Sequence, residues 1–292
     1  MAQDIKAKRW TQALSRSSLG GGARMTHRPL FLLTNDDGIQ SPGLRAAVRA
    51  VRELGEVLVV APATQQTAMG RSFTGRPDAV LEPVPFEVDG AAVRAFACEG
   101  SPASVVRHGL QVLCRERRPD LLVSGINYGE NVGSSIGASG TVGAAMEAAA
   151  RGIPALAASQ QMHPDRFMHH GDQDWRASEH FLRLFARKVV RARLPQDVDL
   201  LKLDVPEGAT PETPWRLSRL SRQRYFELVF DEPGLHSRLK DGRVTVQVDH
   251  EALEPDSDVH ALVRERVVAV TPLSLDATSR ADFADIHRAL EG

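Results

Sequence analysis

The chain has 292 residues, 42% hydrophobic and 25% charged, which is ordinary for a soluble globular protein and excludes a disordered or fibrous one. Its 36 basic and 37 acidic residues leave a formal net charge of -1, without the positive field of a non-specific nucleic-acid binder. The balanced charge predicts no stable nucleic-acid partner. No apolar run approaches the roughly 20 residues that cross a bilayer, so we expect no membrane partner either. The only cysteines, Cys98 and Cys114, are typical of a protein of the reducing cytoplasm.

The N-terminal segment differs in composition from the rest of the chain. It is rich in arginine, serine and glycine and lacks the apolar stretch of a secretory signal. We expect a disordered extension over residues 1–27, with Met25 as a candidate native start and a transit peptide as the alternative. The folded domain is then expected over 28–292.

Apolar runs and helical patterns alternate through the first two thirds of the domain. An apolar run over 30–34 stops at a turn-forming Asn-Asp-Asp-Gly segment, and a helical pattern over 43–54 precedes a second run over 57–60. The later segments of this alternation are helix 102–114, strand 121–123, helix 141–151, strand 153–158, helix 174–193 and strand 200–205. This order predicts an α/β fold with a Rossmann-like, mostly parallel sheet and helices on both faces.

A hairpin is predicted in the C-terminal third. Two strand-like runs, 226–230 and 244–248, are separated by a segment that ends in the turn-forming sequence 240–243. A lone two-stranded ribbon is marginal in water. We therefore expect a C-terminal hairpin extension at about 221–262 to form an interface in a homodimer or homotetramer.

Polar residues follow several predicted strands. Asp36 and Asp37 come directly after the first strand, Thr67 lies in the loop after the second, and Asn127 follows the third. Ligands of such folds gather at the carboxyl ends of the strands, and carboxylate, hydroxyl and amide oxygens suit Mg²⁺, Mn²⁺ or Ca²⁺. Each segment alone also fits an ordinary turn, so the predicted metal site depends on their joint placement.

A glycine-rich stretch over 124–133 and the turn Ser139-Gly140-Thr141 each precede a helix or loop where backbone amides can approach an anion. We expect the amides of this turn, at the positive end of a helix, to face a phosphate. The histidines show no HExxH spacing, the cysteines no CxxC pair, and the serines no GxSxG elbow, which disfavours a zinc hydrolase or a serine esterase.

Taken in order, these motifs resemble those of the SurE survival-protein family over roughly residues 29–275. The segments that carry the resemblance are Thr34-Asn35-Asp36-Asp37-Gly38-Ile39 with Pro42-Gly43, Val59-Val60-Ala61-Pro62, Gly100-Ser101-Pro102-Ala103, Ser124-Gly125-Ile126-Asn127 and Ser139-Gly140-Thr141-Val142. Several motifs in the family's order are far more specific than any one of them.

The resemblance implies a metal-dependent acid phosphatase of the 5'- and 3'-nucleotidase type, a phosphoric monoester hydrolase. It would release nucleoside and phosphate from a nucleoside monophosphate by metal-assisted attack of water, with one Mg²⁺ or Mn²⁺ per subunit and Ca²⁺ as a substitute in crystals. The implied metal ligands are Asp36, Asp37, Thr67 and Asn127, and the implied catalytic residues are Asp36, Asp37 and Asn127. The implied substrate contacts are Asn35, Asn131, Ser139, Gly140 and Thr141. Asp37 is open as ligand or as base.

The chain departs from the family pattern at several positions. Thr67 stands for the usual serine, Glu130 for a proline, Ser135 for an acidic residue, and Asp204 for an asparagine. Glu130 is expected to bring negative charge to the path of an anionic substrate. Two alternatives therefore stay open: a non-catalytic protein that binds a nucleotide or a metal, and a phosphatase for another phosphate ester or polyphosphate.

Overall fold

A computed structural model describes residues 28–167, 171 and 173–291, so the predicted N-terminal extension lies outside the described residues. The strands are β1 (Leu30–Thr34), β2 (Glu56–Pro62), β3 (Glu82–Pro83), β4 (Glu87–Val88), β5 (Ala91–Ala92), β6 (Arg94–Cys98), β7 (Leu121–Tyr128), β8 (Ala155–Gln160), β9 (Leu200–Val205), β10 (Trp215–Leu217), β11 (Phe226–Val229), β12 (Arg243–Val246) and β13 (Val268–Leu273). The longer helices are α1 (Pro42–Val51), α2 (Pro102–Val112), α3 (Gly140–Ala149), α4 (Arg176–Val189) and α5 (Phe283–Glu291). Short helical turns cover Gly133–Ala138, Pro164–Arg166, Leu239–Asp241, Asp258–His260 and Ala261–Glu265.

The main sheet has the strand order β10-β13-β9-β8-β7-β1-β2-β6-β3. Strands β8, β7, β1 and β2 run parallel to their neighbours, whereas β13 is antiparallel to β9 and β3 is antiparallel to β6. The predicted α/β fold with a mostly parallel sheet is therefore confirmed.

Both faces of the sheet are covered because successive side chains of a strand point to opposite sides. In β1, Phe31 and Leu33 belong to a core cluster that includes residues of α1 and α4. Leu30 and Leu32 belong to the cluster on the other face, with residues of α2 and α3. A strand buried on both faces needs an unbroken apolar run, as the sequence over 30–33 has.

Strands β11 and β12 pair as an antiparallel hairpin separate from the main sheet, inside the predicted extension. The base of the hairpin packs through a small third core, in which buried Tyr225 meets Val132 and Val259. This core joins the hairpin to the loop that follows β7. In the part of the chain that the structure describes, no helix is long and apolar enough to span a membrane.

Candidate metal and phosphate site

A cavity of about 330 Å³ lies where β1, β2 and β7 end. Six of the residues predicted from the sequence line it together: Asp36, Asp37, Thr67, Asn127, Asn131 and Ser139. Asp36, Asp37 and Thr67 lie in loops that leave the sheet at the same edge, where parallel strands end. Asn127 was expected after a strand over 121–123, but β7 extends to Tyr128 and Asn127 lies near its end. The cavity also has lining residues that sequence reasoning missed, among them Gln65, Tyr128, Phe167, Phe226 and Val244.

Asp36 is buried against the start of helix α3. The Thr141 hydroxyl donates a hydrogen bond to Asp36 Oδ1 at 2.5 Å, and the backbone of Gly140 lies so close that a Cβ there would be 2.8 Å from Asp36 Oδ2. Burial raises the pKa of Asp36 to about 6, although the hydrogen bonds from Thr141 act to lower it. The carboxylate is thus desolvated and fixed in one orientation.

Asp37 is buried beside Asp36. Its Oδ2 accepts a hydrogen bond from the Tyr128 amide at 3.2 Å, and its Oδ1 accepts one from Gln65 Nε2 at 3.3 Å. Burial raises the pKa of Asp37 well above its usual range, and the negative charge of Asp36 raises it further. Two ionised carboxylates in this position require a positive charge next to them.

Asn127 presents an oxygen to the same cavity. Its Nδ2 group donates to the backbone oxygens of Gly129 at 2.7 Å and Tyr128 at 3.2 Å, so Oδ1 is the atom left to act as a ligand. Within the described residues, no group of three or more His, Cys, Asp or Glu side chains could hold a metal. Two carboxylates completed by neutral oxygens of Asn127 and Thr67 therefore fit a hard cation such as Mg²⁺ or Mn²⁺.

Three of the predicted substrate contacts lie behind the carboxylates and are not among the lining residues. Gly140 and Thr141 contact Asp36, as described above. Asn35 donates from Nδ2 to the Gly38 oxygen at 3.0 Å, and its buried Oδ1 has no hydrogen-bond partner among the described residues. Asn35 thus shapes the turn that carries Asp36 and Asp37.

The amides of Ser139 and Thr141, in the turn before α3, and of Val142, which follows that turn, are engaged within the protein. The Ser139 amide donates to the Ile136 oxygen at 3.1 Å, the Thr141 amide donates to Asp36, and the Val142 amide donates to Ser139 Oγ at 3.0 Å. The expectation that the Ser139 and Thr141 amides face a phosphate is corrected accordingly. The Ser139 hydroxyl accepts from Val142 and keeps its own proton for a ligand.

The chain is similar to known proteins over most of its length. The family model of survival protein SurE matches residues 31–227. The chain belongs to the SurE family. The 5'-nucleotidase SurE of Methanocella arvoryzae is 40% identical over 272 residues, which are 90% of this chain and 98% of that protein.

A second SurE relative and a solved structure extend the match. The 5'-nucleotidase SurE of Thermococcus gammatolerans is 41% identical over 90% of this chain and 96% of its own length. The crystal structure of the SurE protein from Aquifex aeolicus has a TM-score of 0.68 at 29% identity, covering 90% of this chain and all of that one. The SurE fold therefore extends well beyond the segment that the family model matches.

Glu130 departs from the SurE pattern and lines the cavity, but both of its carboxylate oxygens are bound within the protein. Its side chain is buried, with 3% of the residue exposed; Oε1 accepts from the Tyr225 hydroxyl at 2.7 Å and Oε2 from the Met162 amide at 3.2 Å. Burial raises the pKa of Glu130 to about 7, which reduces its charge near neutral pH. Both oxygens serve to join parts of the protein.

Asp204, another departure from the SurE pattern, forms a fully buried charged triad with Lys202 and Asp258. Burial acts to lower the pKa of Lys202, but the two carboxylates outweigh it and raise that pKa. Asp204 Oδ1 accepts from the Asn131 amide at 2.8 Å, and Asp258 Oδ2 accepts from the Gly133 amide at 3.1 Å. The triad therefore holds the backbone of the loop that carries Asn131.

Proposed function

We propose that this SurE chain is a metal-dependent phosphoric monoester hydrolase that converts nucleoside 5'- or 3'-monophosphates to nucleoside and phosphate. The observation that carries the proposal is the buried pair Asp36 and Asp37, which shares one cavity with Asn127 and Thr67. The name 5'-nucleotidase of the relatives from M. arvoryzae and T. gammatolerans supports the choice of substrate.

We assign one divalent ion per subunit, Mg²⁺ or Mn²⁺, to the oxygens of Asp36, Asp37, Thr67 and Asn127. What the ion supplies there is Lewis-acid polarisation of a phosphoryl oxygen and activation of water. Asp37 is assigned as a ligand because it lines the same cavity as Asp36, Thr67 and Asn127; a second role as base stays open.

The protein's own groups orient the phosphate. The Ser139 hydroxyl and the Asn131 side chain line the cavity next to the two aspartates and are proposed to bind phosphate oxygens. Gly140 is proposed to act through its close backbone approach to Asp36. Thr141 and Asn35 act through Asp36 and through the turn that precedes it. Asn131 is itself held, since its Nδ2 donates to Ser159 Oγ at 2.7 Å.

Substitution of Asp36 tests the proposal. Asp36→Asn removes a charged ligand and keeps the volume, so phosphate release from a nucleoside monophosphate with Mn²⁺ or Mg²⁺ should fall at least a thousandfold. The variant should also lose the rise in melting temperature that either ion gives the wild type, because a ligand that binds only the folded state stabilises it. Asp78→Asn, at a side chain that is 71% exposed, is the matched control. Wild-type turnover in Asp36→Asn would contradict the proposed site.

We also propose that a second copy of the chain covers the hairpin, in a homodimer or homotetramer. Leu228 of β11 and Val246 of β12 are each at least 40% exposed, which is costly for a ribbon of two strands. A monomeric mass by light scattering would contradict this assembly. A cytoplasmic location stays a prediction, supported by two unpaired, buried cysteines.

A further inference from the structure

One wall of the cavity is apolar and takes no part in the proposed metal or phosphate contacts. It consists of Phe167, Phe226 and Val244, and we call it the aromatic wall. Phe226 and Val244 come from the paired strands of the hairpin, whereas Phe167 follows the turn after β8. The rings of Phe167 and Phe226 meet edge to face, with centroids 5.7 Å apart.

Phe167 is fixed relative to the two aspartates. Its ring lies against the backbone of Gly129, where a Cβ would come within 2.4 Å of Phe167 Cε1. Its backbone oxygen accepts a hydrogen bond from Gln65 Nε2 at 3.0 Å, and the same amide group donates to Asp37 Oδ1 at 3.3 Å. Gln65 therefore sets the spacing between the aromatic wall and the carboxylates.

Phe226 is fixed through its neighbour Tyr225. The Tyr225 ring packs edge to face on Phe226 with centroids 4.8 Å apart, and its hydroxyl donates to Glu130 Oε1 at 2.7 Å. Glu130 is in turn bound by the Met162 amide. The Glu130–Tyr225 hydrogen bond thus fastens the hairpin to the loop that carries Asn131, at the point where Phe226 enters the cavity.

We infer that the aromatic wall binds the base of a nucleoside monophosphate whose phosphate lies at Asp36 and Asp37, with Glu130 and Tyr225 as positioning residues for Phe226. The inference rests on the proposed function. The cavity of about 330 Å³ has the proposed metal-binding carboxylates on one side and phenyl rings on another. It matches a ligand with a phosphate for the metal and a flat ring for the phenyl groups. A sugar phosphate that lacks a base would leave the rings without a partner.

The test compares two substrates in the same metal buffer: adenosine 5'-monophosphate and ribose 5-phosphate. Phe226→Ala should lower kcat/KM for the nucleotide about tenfold, mainly through KM, because a base stacked on an aromatic side chain contributes on this scale. Activity on ribose 5-phosphate should change less than about twofold. The quantity compared between variants is the ratio of kcat/KM for adenosine 5'-monophosphate to kcat/KM for ribose 5-phosphate. Phe226→Tyr should keep the wild-type ratio, since it keeps the ring.

Two further variants separate the wall from its support. Tyr225→Phe removes the hydroxyl that binds Glu130 and should lower the same ratio, by less than Phe226→Ala does. Phe73→Ala is the matched control, because Phe73 is 53% exposed, lies under Arg107 and is not among the residues that line the cavity. It should leave the ratio at the wild-type value.

The outcomes are distinct. An unchanged ratio in Phe226→Ala, or equal losses on both substrates, would overturn the inference while leaving the phosphatase in place. If Phe226→Ala does not fold, Phe226→Leu retains apolar volume without the ring, and an unchanged ratio there would overturn the inference equally. A wild-type protein that releases phosphate from neither substrate with metal would contradict the proposed function instead.

Discussion

The Thr141 hydroxyl donates to Asp36 Oδ1 at 2.5 Å, although 105 positions separate the two residues in the chain. The contact joins the carboxyl end of β1 to the first turn of α3. It places the motif that carries the carboxylates and the Ser139-Gly140-Thr141 turn in one structure. Asp36 is therefore oriented by the Ser139-Gly140-Thr141 turn as well as by its own turn.

Removal of this hydroxyl should weaken metal binding. Thr141→Val keeps the shape of the side chain and leaves Asp36 Oδ1 without its donor, and the loss of a partner that orients a metal ligand typically costs 10- to 100-fold. The half-saturating Mn²⁺ concentration for phosphate release should rise by about that factor. Thr141→Ser, which keeps the hydroxyl, should stay close to wild type. The same metal response in Thr141→Val and wild type would contradict the role given to Thr141.

The close approach of Gly140 to Asp36 leads to a second prediction. A Cβ in Gly140→Ala would come 2.8 Å from both Cβ and Oδ2 of Asp36, so the carboxylate must shift and activity should fall more than about tenfold. Gly137→Ala is the matched control, because a Cβ there meets nothing within 4 Å. Assays of phosphate release and melting temperature on both variants check this. Equal activity of the two variants would show that the site tolerates the shift.

Glu130 should give the protein a pH-dependent stability. Burial raises the pKa of this carboxyl from 4.5 to about 7, so between these values the folded state binds more protons than the unfolded state. The contribution of Glu130 to the free energy of unfolding is fully present below about pH 4.5 and is lost as the pH rises towards 7. Relative to Glu130→Gln, the wild type should lose up to about 3 kcal/mol of unfolding free energy over this range.

Urea unfolding of the wild type and Glu130→Gln at several pH values between 4 and 8 measures this difference. Glutamine keeps an oxygen to accept from the Tyr225 hydroxyl or the Met162 amide, so the comparison isolates the titrating group. If the unfolding free energies of the two proteins run parallel across this range, Glu130 has an ordinary pKa in the folded state.

The charged triad leads to a fourth prediction. Lys202→Met leaves Asp204 and Asp258 buried without their cation, and the loss of one partner of a buried ion pair costs about 3–5 kcal/mol. The triple variant Lys202→Met, Asp204→Asn, Asp258→Asn carries no unpaired charge and should regain most of that free energy. Urea unfolding of the wild type, Lys202→Met and the triple variant measures both the loss and the recovery of unfolding free energy. No recovery in the triple variant would mean that the amino group is needed for its hydrogen bonds.

Much of the fold was predictable because the strands that form the middle of the sheet are apolar without interruption and end at turn-forming residues. The predicted strand over 200–205 agrees with β9, and the first strand agrees with β1. Strands β3, β4 and β5 were not predicted, because they have only two residues each and show no periodicity. Strand β13 was also missed, since its place beside β9 depends on a long-range antiparallel pairing.

The sequence alone shows which chemical groups gather at one edge of the sheet: Asp36, Asp37, Thr67 and Asn127 come after apolar runs, and parallel strands end at the same edge. The residues that surround these groups are known from the three-dimensional structure. Glu130 reads as a charge in a phosphate loop, but Tyr225, 95 positions away, binds it in a buried place. Phe226 reads as one residue of a hairpin, and it faces the cavity because that hairpin packs on the loop after β7. Such roles depend on contacts between distant segments, and local patterns do not encode them.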